Sequence, residues 1–492
     1  MSILTTYYKK ISEKIDLPFL LFLLAIAPNK IYLKLLALLL IFAIRPRFDL
    51  LFSRKLPLFY PLVALLATLQ FLVFGGDFSA EHVLVFFTGI LYWALCYGYM
   101  CQTSLFASSN SNARIDATLS AFVLLNFLFC VLNYFSVCVK AHTLFPFQEP
   151  EGGDYGPSTG DYIYGLFGQP SYINSIVCFL LALYFLHRNK PGMFFLATFS
   201  SLLSFSNIIN IVFVVALVIY ALFSANRRKY ALVLANIGLC IATYMILNPN
   251  NFNYVRKTIG LSVNNEKEIM PEVVTAKKSK GESRQARLKY VNDSTAANQK
   301  IVLSGRDELF NRNYDRFVTY RDADIKAAPG KKIALLQTLQ FMKHKPVAAV
   351  FGAGIGNFSS RLAFQFSGRD SSRLFMKLPK YAHGYYFMNH LLIYDYMRQL
   401  PNEYHSIKHF PNNFLSQLLG EYGLIGLGLF LVFYLWYFYK RIRNKPYFLV
   451  IWLCAAGFLM LDYMYEFFNV MVIVELLLFL EIKQQEPAEI KE

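Results

Sequence analysis

Residues 411–445 read PNNFLSQLLGEYGLIGLGLFLVFYLWYFYKRIRNK. A polar mouth, proline followed by two asparagines, opens an apolar run that closes on the basic residues Lys440, Arg441, Arg443 and Lys445. Between 413 and 439 the run exceeds the ~20 apolar residues a helix needs to cross a bilayer. In lipid only a helix or a closed barrel satisfies its own backbone, so the stretch predicts a membrane-spanning helix. Similar runs fill most of the chain. Of its 492 residues 56% are hydrophobic and 17% aromatic, and a mean hydropathy of +0.38 is more than a soluble core requires. The expected fold is an all-α polytopic membrane protein.

Working outward from 413–439, spans are read at 15–29, 31–45, 57–74, 81–100, 115–138, 162–186, 191–206, 207–224, 230–247, 446–461 and 463–481, about twelve in all. No cleavable signal peptide is expected, because the first apolar run is followed by further spans. Basic residues punctuate the runs: Lys9, Lys10 and Lys14; Arg45, Arg47, Arg54 and Lys55; Arg188 and Lys190; Arg227, Arg228 and Lys229; and the cluster after 439. With this count they share one side, and the positive-inside bias puts both termini in the cytoplasm. The chain then divides into spans at 1–247, a large outside loop at 248–412 and the last spans with a tail at 413–492. All seven cysteines lie in or beside apolar runs, which argues against a disulfide or zinc framework.

The large loop holds about twice as many Lys and Arg as Asp and Glu, and loops of this length are exempt from the positive-inside rule. A solvated basic domain would look the same, but cations beside a bilayer also suit an anionic ligand such as a lipid-linked phosphate. The section 266–298 is weakly apolar and reads as mobile or as an exposed helix. From 331 to 342 the positions of Ile333, Leu335, Leu336, Leu339 and Phe341 predict an amphipathic helix near the membrane face. A smaller outside loop at 139–161 is turn-rich.

No phosphate-binding loop of the GK[ST] type, HExxH or paired CxxC is present, and neither metal nor cofactor is expected. The glycines of FGAGIGNF (351–358) lack the βαβ setting of a nucleotide fingerprint, so tight turning is their expected role. Taken in order, SGRDELF (304–310), HKPVAAVFGAGIGNF (344–358) and PNNFLSQLLGEYGLIGLGLF (411–430) resemble the O-antigen ligase and polymerase superfamily, the WaaL and Wzy proteins. Upstream, GLFGQPSYINSIVCFLLAL (165–183) is similar to the segment with which that family opens a span. The likeness covers about residues 160–430.

The resemblance implies an inverting, metal-independent glycosyltransferase of the GT-C type in the bacterial inner membrane, working in O-antigen or exopolysaccharide and lipopolysaccharide biosynthesis. Its partners would be donor and acceptor glycans on undecaprenyl diphosphate, membrane lipids and a chain-length regulator protein; nucleic acid is not expected. Such chemistry asks for cations at the departing diphosphate and a group to orient or deprotonate the acceptor hydroxyl. Arg306 matches the family arginine within SGRDELF, although a long stretch separates it from Pro346; Lys331 or Lys332 could instead hold that place. Asn412 stands where many members have histidine, and Asn413 matches the family asparagine. Asparagine is no base, so that role would pass to His409, with His383, His390 and His405 further candidates. Arg361 is a further cation for the donor.

Each assignment has a plainer alternative. Arg306 could pair with Asp307 or Asp324, and His409 could be a solvated loop residue. Gln169 could contact ligand or cap a helix. Glu421, a helical turn or two inside the span, is costly unless paired or wet, and takes either a structural partner or a place in the binding site. Tyr385, Tyr386 and Tyr394 could stack on sugar or sit in an interfacial belt. The expected function is a Wzy-type polymerase. Its nearest rival is a ligase or protein O-oligosaccharyltransferase, differing in acceptor. A flippase or other transporter is the rival of another class, disfavoured because no internal repeat is evident.

Overall fold

The computed structural model describes residues 13–28, 30–46, 56–74, 78–147, 162–168, 170–224, 226–249, 330–369, 377–399, 407, 410–442 and 446–485. Among these it is all-helical, with no strand. Each apolar run carries a helix: α1 Leu17–Ile26, α2 Ile31–Ile44, α3 Phe59–Phe74, α4 Ala80–Ser109, α5 Asn112–Ala141, α6 Tyr172–His187, α7 Pro191–Leu203, α8 Asn207–Ser224 and α9 Arg227–Leu247. The loop region contributes α10 Gly330–His344, α11 Pro346–Phe351, α12 Arg361–Phe366 and α13, which joins Gly384–Tyr386 to Leu392–Gln399 through a π-helical turn. The last three are α14, Phe414–Phe430 continuing to Ile442, α15 Pro446–Leu461 and α16 Phe468–Gln485.

Five of these, α4, α5, α8, α9 and α14, are long and apolar enough to cross a membrane, and the transmembrane character rests on them. The remainder are shorter, or in α16 carry Glu475, Glu481 and Lys483. At 1.5 Å per residue, the 10 residues of α1 and 14 of α2 reach only about 15 and 21 Å, short of the ~30 Å hydrocarbon layer. They form a hairpin whose ends are pinned together. Arg45 bonds both carboxylate oxygens of Asp16 at 2.7 and 2.8 Å, and Asn110 adds a third bond at 2.9 Å. Because the two helices enter and return as a pair, the side on which the chain continues does not depend on whether they cross.

Asp116 meets Arg188 at 3.2 Å and Lys190 at 3.0 Å, while Lys483 donates at 2.9 Å to the carbonyl of Ala107, close to Asn110. Buried carboxylates thus hold the punctuating cations of two runs, Arg45 and the Arg188–Lys190 pair, and these two carboxylates are close together, since Asp16 N bonds the Thr118 hydroxyl. α6 is apolar around its whole circumference and buried from Ile173 to Leu186, as expected of a helix enclosed on all sides. It packs on α7, α8 and α16, while α16 lies along α4. In α10 the buried face is Ile333, Ala334, Gln337, Thr338 and Phe341. Leu336 and Leu339 stay exposed, as do Val347, Val350 and Phe351 of α11, an apolar strip suited to the membrane face.

Candidate active site

The site lies where α14 begins, and its frame is backbone. Gly352, Gly354 and Gly356 have φ of 83°, 92° and 73°, the left-handed region that glycine enters without steric cost. FGAGIGNF is therefore a turn, as its sequence suggests. It docks against a break in α14, where Gly423 leaves helical geometry at φ 65°, ψ −165°. A helix broken in lipid must find new partners for its freed carbonyls. Here the N–H of Ala353 bonds Gly420 O at 2.8 Å and that of Gly354 bonds Glu421 O at 3.0 Å. Gln70 of α3 donates to Glu421 O as well, at 3.1 Å, and to Phe351 O. Glycine at 420 lets the Phe358 ring lie against the helix, since a Cβ there would stand 2.0 Å from the ring.

The approach seals Glu421 completely, at 0% exposure. Its carboxyl faces the Ser360 hydroxyl and the N–H groups of Gly356 and Phe358, yet neither oxygen closes a hydrogen bond of normal geometry. A buried, underbonded carboxyl costs several kcal/mol, so Glu421 is held by the clamp around it rather than contributing to its stability. It has a structural place between turn and helix and no open face for a substrate.

Above Glu421 the polar mouth is ordered by its own side chains. Asn413 caps α14, its Oδ1 accepting from Ser416 N at 2.7 Å while its Nδ2 donates to Pro411 O at 2.9 Å. Asn412 is used differently: its Oδ1 accepts from the Tyr463 hydroxyl at 3.3 Å, and its backbone carbonyl takes the Lys331 ammonium at 2.5 Å. Tyr463 also meets the Ser359 hydroxyl at 2.9 Å. Burial lowers the Lys331 pKa to about 8, with Asp462 pulling the other way. Asp462 accepts from Tyr463 N at 2.7 Å and from the hydroxyl of Tyr172, the first residue of α6. On the other side of Tyr463, Gln417 bonds Glu466 at 2.6 Å. Arg361 donates to the Glu466 carbonyl at 3.3 Å and stacks on Phe467 at 4.3 Å.

The segments 344–358 and 411–430 are thus bonded directly through the glycine turn, and Tyr172 of 165–183, Ser359 just after 358 and Asn412 all meet the turn 462–467. Of the residues singled out from sequence, Lys331, Arg361, Asn412, Asn413 and Glu421 belong to this polar layer. Lys332 is exposed on the far side of α10. Arg306, His409, His405 and Gln169 lie outside the described residues. Tyr386 is 1% exposed within an apolar cluster with Phe341, Phe358 and Leu391, so its ring offers no platform for a sugar. Tyr385 packs its ring on Phe341, with centroids 4.8 Å apart.

Two of the candidate histidines, His390 and His383, are taken up by the scaffold. His390 is buried, its Nε2 3.0 Å from Ala334 O, and burial lowers its pKa to about 4; it stays neutral. His383 caps α13 by accepting from Tyr385 N at 3.2 Å.

Sequence reasoning passed over Asp462, Tyr463, Glu466 and Tyr172. The signal was DYMYEFF at 462–468, two carboxylates between apolar runs, which a span beginning at 463 absorbs. It also passed over His82, whose Nε2 lies 3.5 Å from Asn357 and whose ring stacks on Tyr381 at 5.3 Å. Comparison of the chain with family models, curated proteins and solved structures gives no match.

Proposed function

We propose that the protein is a Wzy-type polymerase of O-antigen or exopolysaccharide, an inverting and metal-independent glycosyltransferase of the inner membrane with both termini cytoplasmic. It joins repeat units carried on undecaprenyl diphosphate at the periplasmic face. The observation that carries this reading is that two of the resembling segments, 344–358 and 411–430, dock on each other through the glycine turn, and that the upstream segment 165–183 reaches the same polar layer through Tyr172, beside Lys331 and Arg361. Arg306 binds the donor diphosphate, its planar fork suited to two oxygens at once, assisted by Arg361 and by Lys331 or Lys332. Asn412 and Asn413 order the mouth to which His409 is tethered three residues upstream.

The test uses purified protein, lipid-diphosphate-linked repeat units and detergent, without any energy source. A ladder of lengthened chains is expected. Folded protein that leaves the repeat units unextended refutes the polymerase, and transfer only onto added lipid A core would make it a ligase.

A further inference from the structure

Inverting transfer needs a group to receive the acceptor proton, and Asn412, in the place where the resembling family has histidine, cannot be that group. Among the described residues the alternatives narrow by geometry. His390 is enclosed in α10–α13 packing and His383 caps a helix. Glu421 is sealed, and Glu466 is engaged by Gln417 and faces Arg361. His82 sits against Asn357 and Tyr381, on the α4 side of the glycine turn.

Asp462 differs in each respect. It follows α15 directly in the same polar layer as Asn412, retains 8% exposure, and is oriented locally by the N–H of the next residue, Tyr463, and from α6 by the Tyr172 hydroxyl. A carboxylate has about four lone-pair positions, so two remain for an incoming hydroxyl. Fixing both oxygens is the arrangement a proton acceptor needs to hold its angle to the nucleophile.

We propose that Asp462 is the proton acceptor of the glycosyl transfer, oriented by Tyr172 and Tyr463. The assignment rests on the polymerase reading above. In the step, the acceptor sugar's O–H proton passes to an Asp462 oxygen as the hydroxyl oxygen's electron pair forms the bond to the donor's anomeric carbon. The bond from that carbon to the diphosphate oxygen breaks, and its electron pair leaves on the lipid diphosphate. The proton is then released to water. Tyr172 is a positioning residue. Lys331, bonded to the Asn412 carbonyl and facing Asp462, sets the local charge balance.

The experiment uses the full chain in detergent with lipid-diphosphate-linked repeat units. Asp462→Asn keeps the shape and the bond accepted from Tyr463 N, while its amide group donates to the Tyr172 oxygen in place of accepting from it; its turnover falls about 10²-fold or more, the usual contribution of a general base, while donor KM stays within about threefold. Asp462→Ala is as slow, and added formate restores part of its turnover by supplying the missing carboxylate. Tyr172→Phe lowers kcat by less than Asp462→Asn and leaves donor KM alone. Turnover of Asp462→Asn within about fivefold of wild type overturns the assignment, as does failure of formate to restore the folded alanine variant. Wild-type protein that makes no polymer instead overturns the polymerase reading, so the two failures are told apart.

Discussion

The clamp between the glycine turn and the broken helix makes Gly352→Ala the sharpest probe of the fold. An added Cβ would stand 2.1 Å from Glu421 O and 2.4 Å from Tyr422 N, both backbone atoms that cannot rotate away. The residue also sits at φ 83°, where alanine costs about 1–2 kcal/mol. Relieving the clash means withdrawing the turn, which gives up the bonds from Ala353 and Gly354 to Gly420 and Glu421. Each lost bond leaves a buried carbonyl at about 1 kcal/mol or more. Together these come to about 3–5 kcal/mol. The measurement is unfolding in mixed detergent micelles, wild type against variant. Gly428→Ala serves as control, since a Cβ there meets nothing within 4 Å and alanine gains about 0.5–1 kcal/mol in a helix interior. If Gly352→Ala lies within about 0.5 kcal/mol of wild type, the turn does not bear on α14 as described.

Other perturbations separate scaffold from chemistry. Asn413→Ala should cost about 0.5–2 kcal/mol by uncapping α14, with Asn413→Asp close to wild type in the same titration. Asp16→Ala strands Arg45 and Asn110 and should destabilise the α1–α2 hairpin by about 3–5 kcal/mol, read as faster proteolysis at the 45–58 connection; an unchanged digestion pattern would contradict it. His390 has a folded pKa near 4, below its ordinary 6.5, so the unfolded chain binds the extra proton between these values. Stability is therefore lost as pH falls from 6.5 through 4, by up to about 3 kcal/mol, and His390→Gln should flatten that slope. For Lys331 the folded pKa of about 8 lies below 10.5, so stability rises as pH climbs from 8 towards 10.5, while the ammonium charge is lost. Donor KM should increase above pH 8 in wild type and stay level in Lys331→Arg; parallel curves would remove Lys331 from donor binding.

How far these features could be read from residues alone follows from what each one rests on. Helical runs are a local property, so every expected span carries a helix, and of the basic punctuation Arg45, Arg188 and Lys190 are held by the neighbouring carboxylates Asp16 and Asp116. Lys331 was legible for a similar reason: it opens a short amphipathic stretch just before the glycine turn. The break in α14 was not, because Gly420, Gly423, Gly426 and Gly428 look alike along the chain. Only Gly423 turns left-handed, and it does so because FGAGIGNF offers N–H groups to the carbonyls that the break releases.

The turn at 462–467 escaped for the opposite reason. Its aromatic residues continue the hydropathy of the flanking spans, while Asp462 and Glu466 gain meaning only from Tyr172, Lys331, Gln417 and Arg361, which lie 49 to 290 residues away. Charge balance at the mouth is likewise a tertiary fact. The loop is basic in composition, yet at the described site Lys331 bonds the Asn412 carbonyl with Asp462 acting on its charge, and Arg361 donates to the backbone carbonyl of Glu466, so two carboxylates stand among its cations. On the proposed reading, a diphosphate bound there meets Asp462 and Glu466 as well as Lys331 and Arg361, and draws further cations from the rest of the loop. An anion brought against buried carboxylates is unfavourable by several kcal/mol unless further cations offset it. If Arg306 is the anion binder of the proposed reading, Arg306→Ala abolishes long-chain product while leaving the fold intact. A gel ladder of unchanged length from that variant would show that the described cations suffice.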